Sequence, residues 1–401
     1  MKRPAVHPAL VVIAAGVAAA LHVGKLSPAL PALSASLGVT LVQAGFLLSL
    51  VQLAGMTLGL AVGLSADSLG LKRSMLTGLL LLSGASLLGG WARDAQTLLL
   101  LRAVEGLGFL LVSMPAPSLI RHLVAPQHMS KMLGLWGAYM PLGTATALLC
   151  GPSVIAHAGW EFWWWLLAAL TLLMTIWVWR VVPSDRTRFH SGGTSAPAQQ
   201  GWAERLRHTL NSSGPWLVAL SFAMYSGQWL AVIGFLPTIY TEAGVTGGVS
   251  AVLTALVAGV NMIGNIASGR LLSRGVPPPV LLYTGFCVMG AGTFLAFAAL
   301  PTGPGVRFVA VLLFSMLGGV IPGTLFSLAV RLAPGEGTVS TTVGWMQQWA
   351  SFGQFAGPPL VAWLASVAGG WQWTWLVTGG CSVIGVLLAF GLRRQLARRD
   401  E

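Results

Sequence analysis

Long apolar stretches alternate with short polar ones along the whole chain. Most stretches match the roughly 20 apolar residues that a helix needs to cross a bilayer. A transmembrane barrel would show short segments of alternating polarity, and these runs are too long and too continuous for that. The pattern predicts an all-α membrane protein with twelve transmembrane helices, near residues 8–32, 41–64, 74–91, 97–120, 132–156, 161–181, 215–240, 249–271, 278–300, 307–330, 339–367 and 373–392.

The composition indicates the same class. Of the 401 residues, 55% are hydrophobic and 8% are charged, whereas a soluble domain carries about 25% charged residues. The first run has no small-residue cleavage site, so we expect a retained helix and not a signal peptide. The three cysteines lie in separate runs and show no metal or disulfide spacing; we expect no cofactor and no metal.

Basic residues indicate how the helices are oriented, because cytoplasmic loops carry an excess of Lys and Arg. With the N-terminus in the cytoplasm, every basic residue except Lys25, Arg93, Arg102 and Arg307 falls on the cytoplasmic side. We therefore expect a multi-pass protein of the cytoplasmic (inner) membrane with both termini in the cytoplasm. The net charge of +12 is a topology signal. No basic soluble domain is evident, so we expect no nucleic-acid partner.

The longest polar segment divides the chain into two sets of six runs. It covers residues 183–213, is rich in Gly, Ser and charge, and includes a candidate surface helix, "GWAERLRHTL". We expect an N-terminal six-helix bundle at 1–182, a cytoplasmic linker at 183–213 and a C-terminal six-helix bundle at 214–401.

The two halves have the marks of a duplication. A shift of 206 positions, with small local adjustments, superimposes several landmarks: Pro31 on Pro237, Gly63 on Gly269, Arg102 on Arg307, Arg121 on Arg331, Gly151-Pro152 on Gly357-Pro358 and Gly159-Trp160 on Gly370-Trp371. Two parallel six-helix repeats are typical of secondary transporters, whose substrate site lies between the repeats near the membrane midplane.

The loop after the second run, "GLSADSLGLKRS", carries the most specific motif. It resembles the helix 2–3 signature of the major facilitator superfamily in Gly63, Asp67, Gly70, Lys72 and Arg73. In that family the loop is a cytoplasmic latch that holds the outward-open state, so the resemblance implies a gating loop and the twelve-helix fold of two pseudo-symmetric bundles. A positively charged turn that only fixes topology is the alternative.

The fourth run contains a second motif of the same family, "RAVEGLG". Arg102, Gly106 and Gly108 match it, and Glu105 stands where Gln is usual. Arg102 and Glu105 are three residues apart on one helix face, which makes them candidates for proton coupling or, alternatively, a structural ion pair. Gly-Pro at 151–152 partly resembles a helix-5 motif associated with antiporters, and "MLGLWGAYMPLG" is similar to the cyanate permease type.

His22 and Lys25 are ionisable residues inside the first run, and in this family helix 1 lines the central cavity. The predicted spans hold few acids, so an excess of positive charge there favours an anionic substrate. We expect Lys25 to pair with the substrate and His22 to tune the site by protonation; the alternative is that Lys25 snorkels to the membrane rim. Further substrate-binding candidates, whose amides alternatively serve only as helix contacts, are Tyr139, Gln228, Trp229, Asn261, Asn265, Trp345, Gln348 and Trp349.

These features together favour a secondary active transporter that moves a small anionic solute by alternating access in symport with protons. Glu105, Arg102 and His22 are the proton-coupling candidates. No ATP-binding loop and no nucleophile motif is present, so we expect that the protein is not an enzyme. We also expect a monomer whose partners are a small solute, protons and lipid. Facilitated diffusion without proton coupling, a drug-exporting proton antiporter of the same superfamily and a non-transporting receptor remain alternatives.

Overall fold

The computed structural model describes residues 6–125, 132, 135–185, 201–245 and 247–400, without the side chains of residues 63–69, 336, 399 and 400. Within this part, the regular structure is helical throughout. Two bundles form it, as the sequence predicts.

Eight α-helices of the N-terminal bundle have both ends within the described residues. They are α1 (Pro8–Gly24), α2 (Leu26–Leu37), α3 (Leu41–Ser49), α4 (Leu53–Leu69), α5 (Leu71–Gly89), α6 (Ala95–Ser113), α7 (Ala116–Leu123) and α8 (Tyr139–Val181), with a 3-10 turn at Leu50–Gln52 between α3 and α4. The C-terminal bundle follows a short exposed helix, α9 (Trp202–Leu210), which lies where the sequence predicts a surface helix. Its helices are α10 (Ser213–Glu242), α11 (Gly247–Ser273), α12 (Pro278–Phe297), α13 (Pro304–Gly318), α14 (Val320–Leu332), α15 (Val339–Ala368) and α16 (Thr374–Asp400).

These helices make twelve membrane spans. Ten segments of the described residues are long and apolar enough to cross a bilayer. One of them, residues 135–181, turns back on itself at Gly159, where φ is 86°, so that the indole of Trp163 lies next to Gly151. This segment therefore crosses twice. Helix α15, 30 residues long and interrupted by polar side chains, is the remaining span.

In both bundles a glycine of the fifth span packs closely on the first span. Gly151 of α8 packs on Pro28 of α2, and its repeat-related residue Gly357 of α15 packs on the backbone of Gly227 in α10. Glycine lets the two helices approach closely at each place. The internal repeat read from the sequence is thus present in the packing.

The bundles meet along two pairs of spans and lie close together at one end. Helices α3 and α4 pack on α15, and α8 packs on α11. We call the end at which α1 begins, α8 ends and α9 lies the linker face. At the other end, the opposite face, an apolar cluster joins Leu33 and Leu48 of the N-terminal bundle to Phe235 and Ala362 of the C-terminal bundle.

Two spans are broken at the same depth, and this places the site. The first span is interrupted at Lys25, between α1 and α2, and the second at the 3-10 turn Leu50–Gln52. Helix breaks leave backbone carbonyls without their usual intrahelical donors. Arg102 of α6 supplies donors to both breaks, as described next.

Candidate functional site

Four ionisable side chains form one buried cluster in the N-terminal bundle. His22, Lys25, Arg102 and Glu105 are each at most 2% exposed, and we call them the ion quartet. Lys25 Nζ pairs with Glu105 Oε1, and Arg102 Nη1 lies 2.7 Å from Glu105 Oε2. One carboxylate therefore serves two cations, and with neutral His22 the quartet carries one net positive charge.

The Lys25 ammonium has a protein acceptor for each of its three N–H groups. Besides Glu105, it donates to Ser86 Oγ at 3.0 Å and to His22 Nδ1 at 3.4 Å. Its Nζ also lies 4.6 Å from the ring centroid of Trp164. Lys25 is fully buried, so it does not snorkel to the rim, and in this conformation its donors are all in use.

Arg102 holds the two broken spans together. Its Nε donates to Leu47 O at 3.0 Å, next to the 3-10 turn, while Nη1 and Nη2 donate to His22 O at 2.5 Å and Val23 O at 3.3 Å. A planar guanidinium with five donors suits this fork of acceptors. The arginine of the "RAVEGLG" motif is thus a connector between α1, α3 and α6.

Gly106, the first glycine of that motif, makes room for the break in the second span. A Cβ at this position would lie 2.7 Å from Val51 O and 3.0 Å from Leu50 O. Such contacts are shorter than packed atoms tolerate. The glycine therefore allows α6 to lie directly on the turn whose neighbouring carbonyl Arg102 binds.

Hydrogen bonding fixes the tautomer of neutral His22. The Thr171 hydroxyl donates to Leu167 O at 2.8 Å, so it must accept from His22 Nε2, which lies 2.7 Å away. Neutral His22 then carries its proton on Nε2, and Nδ1 is the acceptor that faces Lys25. A further proton on Nδ1 would point at the Lys25 ammonium, 3.4 Å away, and at Glu105 Oε1, 3.8 Å away.

The C-terminal bundle repeats the neutral part of this site and lacks the charges. Gln228, the counterpart of His22, accepts from Ser382 Oγ at 3.1 Å. Ser382 is related to Thr171 by the same displacement that relates Gly159 to Gly370. The counterpart of Lys25 is Ala231, so only the N-terminal bundle has an ion quartet.

Three other predicted binding residues lie within the packed helices of the C-terminal bundle. Trp229 Nε1 donates to Ser315 Oγ at 3.1 Å, and Asn261 Nδ2 donates to Tyr225 Oη at 2.9 Å and Ser315 O at 2.8 Å. Asn265 is half-buried where α11 packs on α14. Tyr139, in the N-terminal bundle, stacks on Trp136 with ring centroids 4.1 Å apart.

The three candidates on α15 divide between two directions. Trp345 and Trp349 contact Trp216 of their own bundle, with centroid distances of 4.9 and 5.7 Å. Gln348 reaches the other bundle, where its Oε1 accepts from Leu60 N at 3.1 Å. The structure thus brings His22, Lys25, Arg102 and Glu105 together, and it leaves the two tryptophans and Gln348 apart from them.

Comparison with known proteins agrees with this architecture. The sequence model of the Major Facilitator Superfamily matches residues 9–352. The chain belongs to the Major Facilitator Superfamily. It is therefore a membrane transport protein of that superfamily, and the predicted twelve-helix, two-bundle fold is confirmed.

Similar proteins include two curated superfamily members. Puromycin resistance protein pur8 of Streptomyces alboniger is 28% identical over 355 residues, which are 81% of this chain and 67% of that protein. Multidrug resistance protein MdtL of Salmonella schwarzengrund (strain CVM19633) is 25% identical over 93% of this chain and 92% of that one.

Among solved structures, a bacterial homolog of the human lysosomal transporter Spinster in an inward-facing, unoccupied conformation has the same fold. Its TM-score is 0.78 with 16% identity, covering 98% of this chain and 97% of that one. The finer resemblance to the cyanate permease type stays a prediction.

The start of α5, in the predicted gating loop, contacts the start of the linker. Asp185 Oδ1 accepts from Lys72 N at 3.0 Å, and Oδ2 accepts from Arg73 N at 3.2 Å. Lys72 Nζ donates to Trp179 O at 2.8 Å. At Gly70, φ is 83°, and a Cβ there would lie 2.7 Å from Asp185 Oδ2. Both the backbone conformation and the space next to Asp185 therefore require glycine. Gly63 lies in α4, and the side chain of Asp67 lies outside the described residues.

The sequence pattern does not single out four residues of these sites. They are Ser86, Thr171, Trp164 and Asp185. A hydroxyl in a span is a weak signal, since Ser and Thr commonly bond their own helix. Asp185 lies in the polar segment that predicts a linker, and its neighbours in the sequence do not mark it as a partner of residues 72 and 73.

Proposed function

We propose that this protein is a proton-coupled secondary transporter that works by alternating access, and that the ion quartet is its coupling site. The observation that carries the proposal is the burial of His22, Lys25, Arg102 and Glu105 in contact with one another at the middle of the first span. Ionisable groups at membrane depth are costly and mark ion or proton pathways.

The charge balance of the quartet gives a physical route to coupling. An added proton raises its net charge from one to two, which the low-dielectric interior opposes unless an anion joins it. A proton on Glu105 also breaks the ion pair between Glu105 and Lys25, so one N–H of the Lys25 ammonium becomes available to a solute. Proton binding therefore favours binding of an anion, and anion binding favours the proton.

The first candidate function is thus symport of a small anionic solute with protons. Lys25 binds the solute after Glu105 takes up a proton, and His22 tunes the step through Nδ1. Tyr139, Gln228, Trp229, Asn261, Asn265, Trp345, Gln348 and Trp349 remain proposals as lining residues, with Gln348 supported by its contact across the two bundles.

A second candidate is proton-driven drug export. It is favoured by the relatives pur8 and MdtL, whose names state puromycin and multidrug resistance. In this case the proton's extra charge repels a cationic solute from the quartet, so coupling has the opposite sign. The two candidates therefore predict opposite effects of acid on solute affinity.

The orientation is part of the same proposal. The excess of Lys and Arg on the linker face supports a cytoplasmic linker face in the inner membrane. We further propose that the protein acts as a monomer, and that residues 63–73 act as the gating loop. The hold of Asp185 on the amides of Lys72 and Arg73 supports a structural role for this loop.

Flux in proteoliposomes tests the proposal. Solutes of both charges are offered with and without a pH gradient to the wild type and to Glu105→Gln, which resembles a permanently protonated carboxyl. We expect the variant to exchange solute across the membrane at a measurable rate but to lose uphill accumulation, because it cannot release the coupled proton.

Two matched variants sharpen the result. His22→Gln copies Gln228 and keeps a donor for Thr171 and an acceptor for Lys25, so it folds normally and reduces the dependence of transport on pH. Arg307→Gln alters the rim arginine related to Arg102 and leaves coupling intact. Uphill accumulation by Glu105→Gln at the wild-type level would refute the coupling role. Tighter solute binding in acid supports anion symport, whereas tighter binding in base supports drug export.

A further inference from the structure

A cavity opens on the linker face of the C-terminal bundle. Its volume is about 480 Å³, and it lies between the α11–α12 connection and the ends of α14 and α16. Arg331 of α14 and Arg393 of α16 both line it. Two arginine residues from separate helices thus line one space.

The equivalent place in the N-terminal bundle contains a carboxylate. There, Asp185 accepts hydrogen bonds from the amides of Lys72 and Arg73 at the start of α5. The helix N-terminus and its free N–H groups suit an anion. In that bundle, the chain supplies its own anion after the sixth span.

The C-terminal bundle has lost every element of that arrangement. The repeat shift places Lys72 and Arg73 on Pro278 and Pro279, which have no N–H to donate, and Asp185 on Leu396. All three of these residues line the cavity. The space that a carboxylate fills in one bundle is therefore open in the other, and positive charge reaches it from arginine side chains.

The surroundings of the cavity are suited to a phosphate group with an apolar tail. Among the described side chains, no carboxylate lies within ion-pair distance of Arg393. The lower walls are apolar, formed by Leu272, Val276 and Leu396. Arginine binds phosphate through parallel hydrogen bonds, and basic pockets at span ends are able to hold lipid headgroups.

We propose that this cavity binds a phosphate group through Arg331 and Arg393, and that an anionic phospholipid of the surrounding leaflet supplies it. Soluble phosphate shares the chemistry and is the other possible source. The site stands apart from the ion quartet, so it regulates or stabilises the C-terminal bundle and takes no part in moving solute.

Thermal stability and lipid retention test the site directly. Purified protein is heated in detergent with added phosphatidylglycerol, with phosphatidylcholine or with inorganic phosphate, and bound lipid is counted by native mass spectrometry. The wild type should gain several degrees in Tm with phosphatidylglycerol and not with phosphatidylcholine. Arg331→Gln/Arg393→Gln should lose that gain and retain at least tenfold less lipid.

Two further variants keep the test decisive. Arg394→Gln removes the neighbouring arginine, which stacks on Phe390 at 4.3 Å and does not line the cavity, and it should behave as wild type. Ala397→Phe fills the cavity while keeping both arginines, and it should lose the gain. A gain with inorganic phosphate alone, lost in the same variants, supports the site with a soluble source. No gain from either, or a gain that survives both changes, overturns the proposal.

Discussion

At the scale of single residues, Glu105 compensates two buried cations with one carboxylate. It is the acid that Lys25 and Arg102 share, and its loss leaves two buried cations facing each other. An uncompensated buried charge destabilises a protein by about 3–5 kcal/mol. The stability of the N-terminal bundle should therefore depend on the quartet as a set.

A double-mutant cycle tests this dependence. Glu105→Gln should lower Tm strongly, Lys25→Met should lower it as well, and the double variant should be more stable than Glu105→Gln alone, because only Arg102 is then unpaired. Unfolding is followed by a thiol-reactive dye or by nanoDSF. The surface change Glu242→Gln is the control, since Gln still accepts from Trp371 Nε1. Purely additive losses would contradict a shared carboxylate.

The sequence identified all four members of the quartet but only one of its ion pairs. Arg102 and Glu105 are joined by helical spacing, which is visible in a single sequence. Lys25 and Glu105 are 80 positions apart, and only the fold brings them together. The expectation that Lys25 pairs with a substrate therefore stays a prediction that now requires Glu105 to release it.

At the scale of helices, the spans were predictable, whereas only one of their two interruptions has a local signal. Twenty apolar residues are a strong signal, and the predicted runs coincide with the helices. The break at Lys25 precedes Pro28, which has no N–H to donate to the carbonyl of Gly24. The 3-10 turn at Leu50–Gln52 lies instead next to a carbonyl that accepts from Arg102 of α6, a different helix. No local pattern encodes a carbonyl that is satisfied from elsewhere.

Gly106 offers a measurement of how closely α6 packs on that turn. Gly106→Ala places a methyl group 2.7 Å from Val51 O, so the helices must separate and the protein should lose about 1–3 kcal/mol. Gly84→Ala is a matched control in α5, because nothing lies within 4 Å of its added Cβ; this change should be neutral or slightly stabilising. Equal Tm values for the two variants would show that α6 does not rest on the turn.

At the scale of the whole molecule, the two bundles touch near both faces. Towards the linker face, Gly59 of α4 lies against Gln348 of α15, and towards the opposite face Gly45 of α3 lies against Pro359. Alternating access requires the bundles to separate at one face at a time. Contacts of this kind must open and re-form in each cycle.

A disulfide across the first contact tests this requirement. A Cβ on Gly59 would lie 3.6 Å from the Cβ of Gln348, within the range of about 3.5–4.5 Å that disulfides adopt. In a background where Cys150, Cys287 and Cys381 are serine, Gly59→Cys/Gln348→Cys should cross-link on oxidation and lose transport, and a reductant should restore it. Each single cysteine variant is the control for oxidation. Undiminished flux by the cross-linked protein would show that this contact persists throughout transport.

The net positive charge of the ion quartet also lies within the electric field of the membrane potential. A charge that crosses the whole membrane potential exchanges about 2.3 kcal/mol per 100 mV. In the proposed alternating-access cycle, the quartet stays in the N-terminal bundle while water reaches it from one face and then from the other. The same fixed charge then lies first at one end of the voltage drop and later at the other end. We therefore expect voltage to shift the balance between the two access states, and turnover to depend on membrane potential even for a solute and proton that together carry no charge.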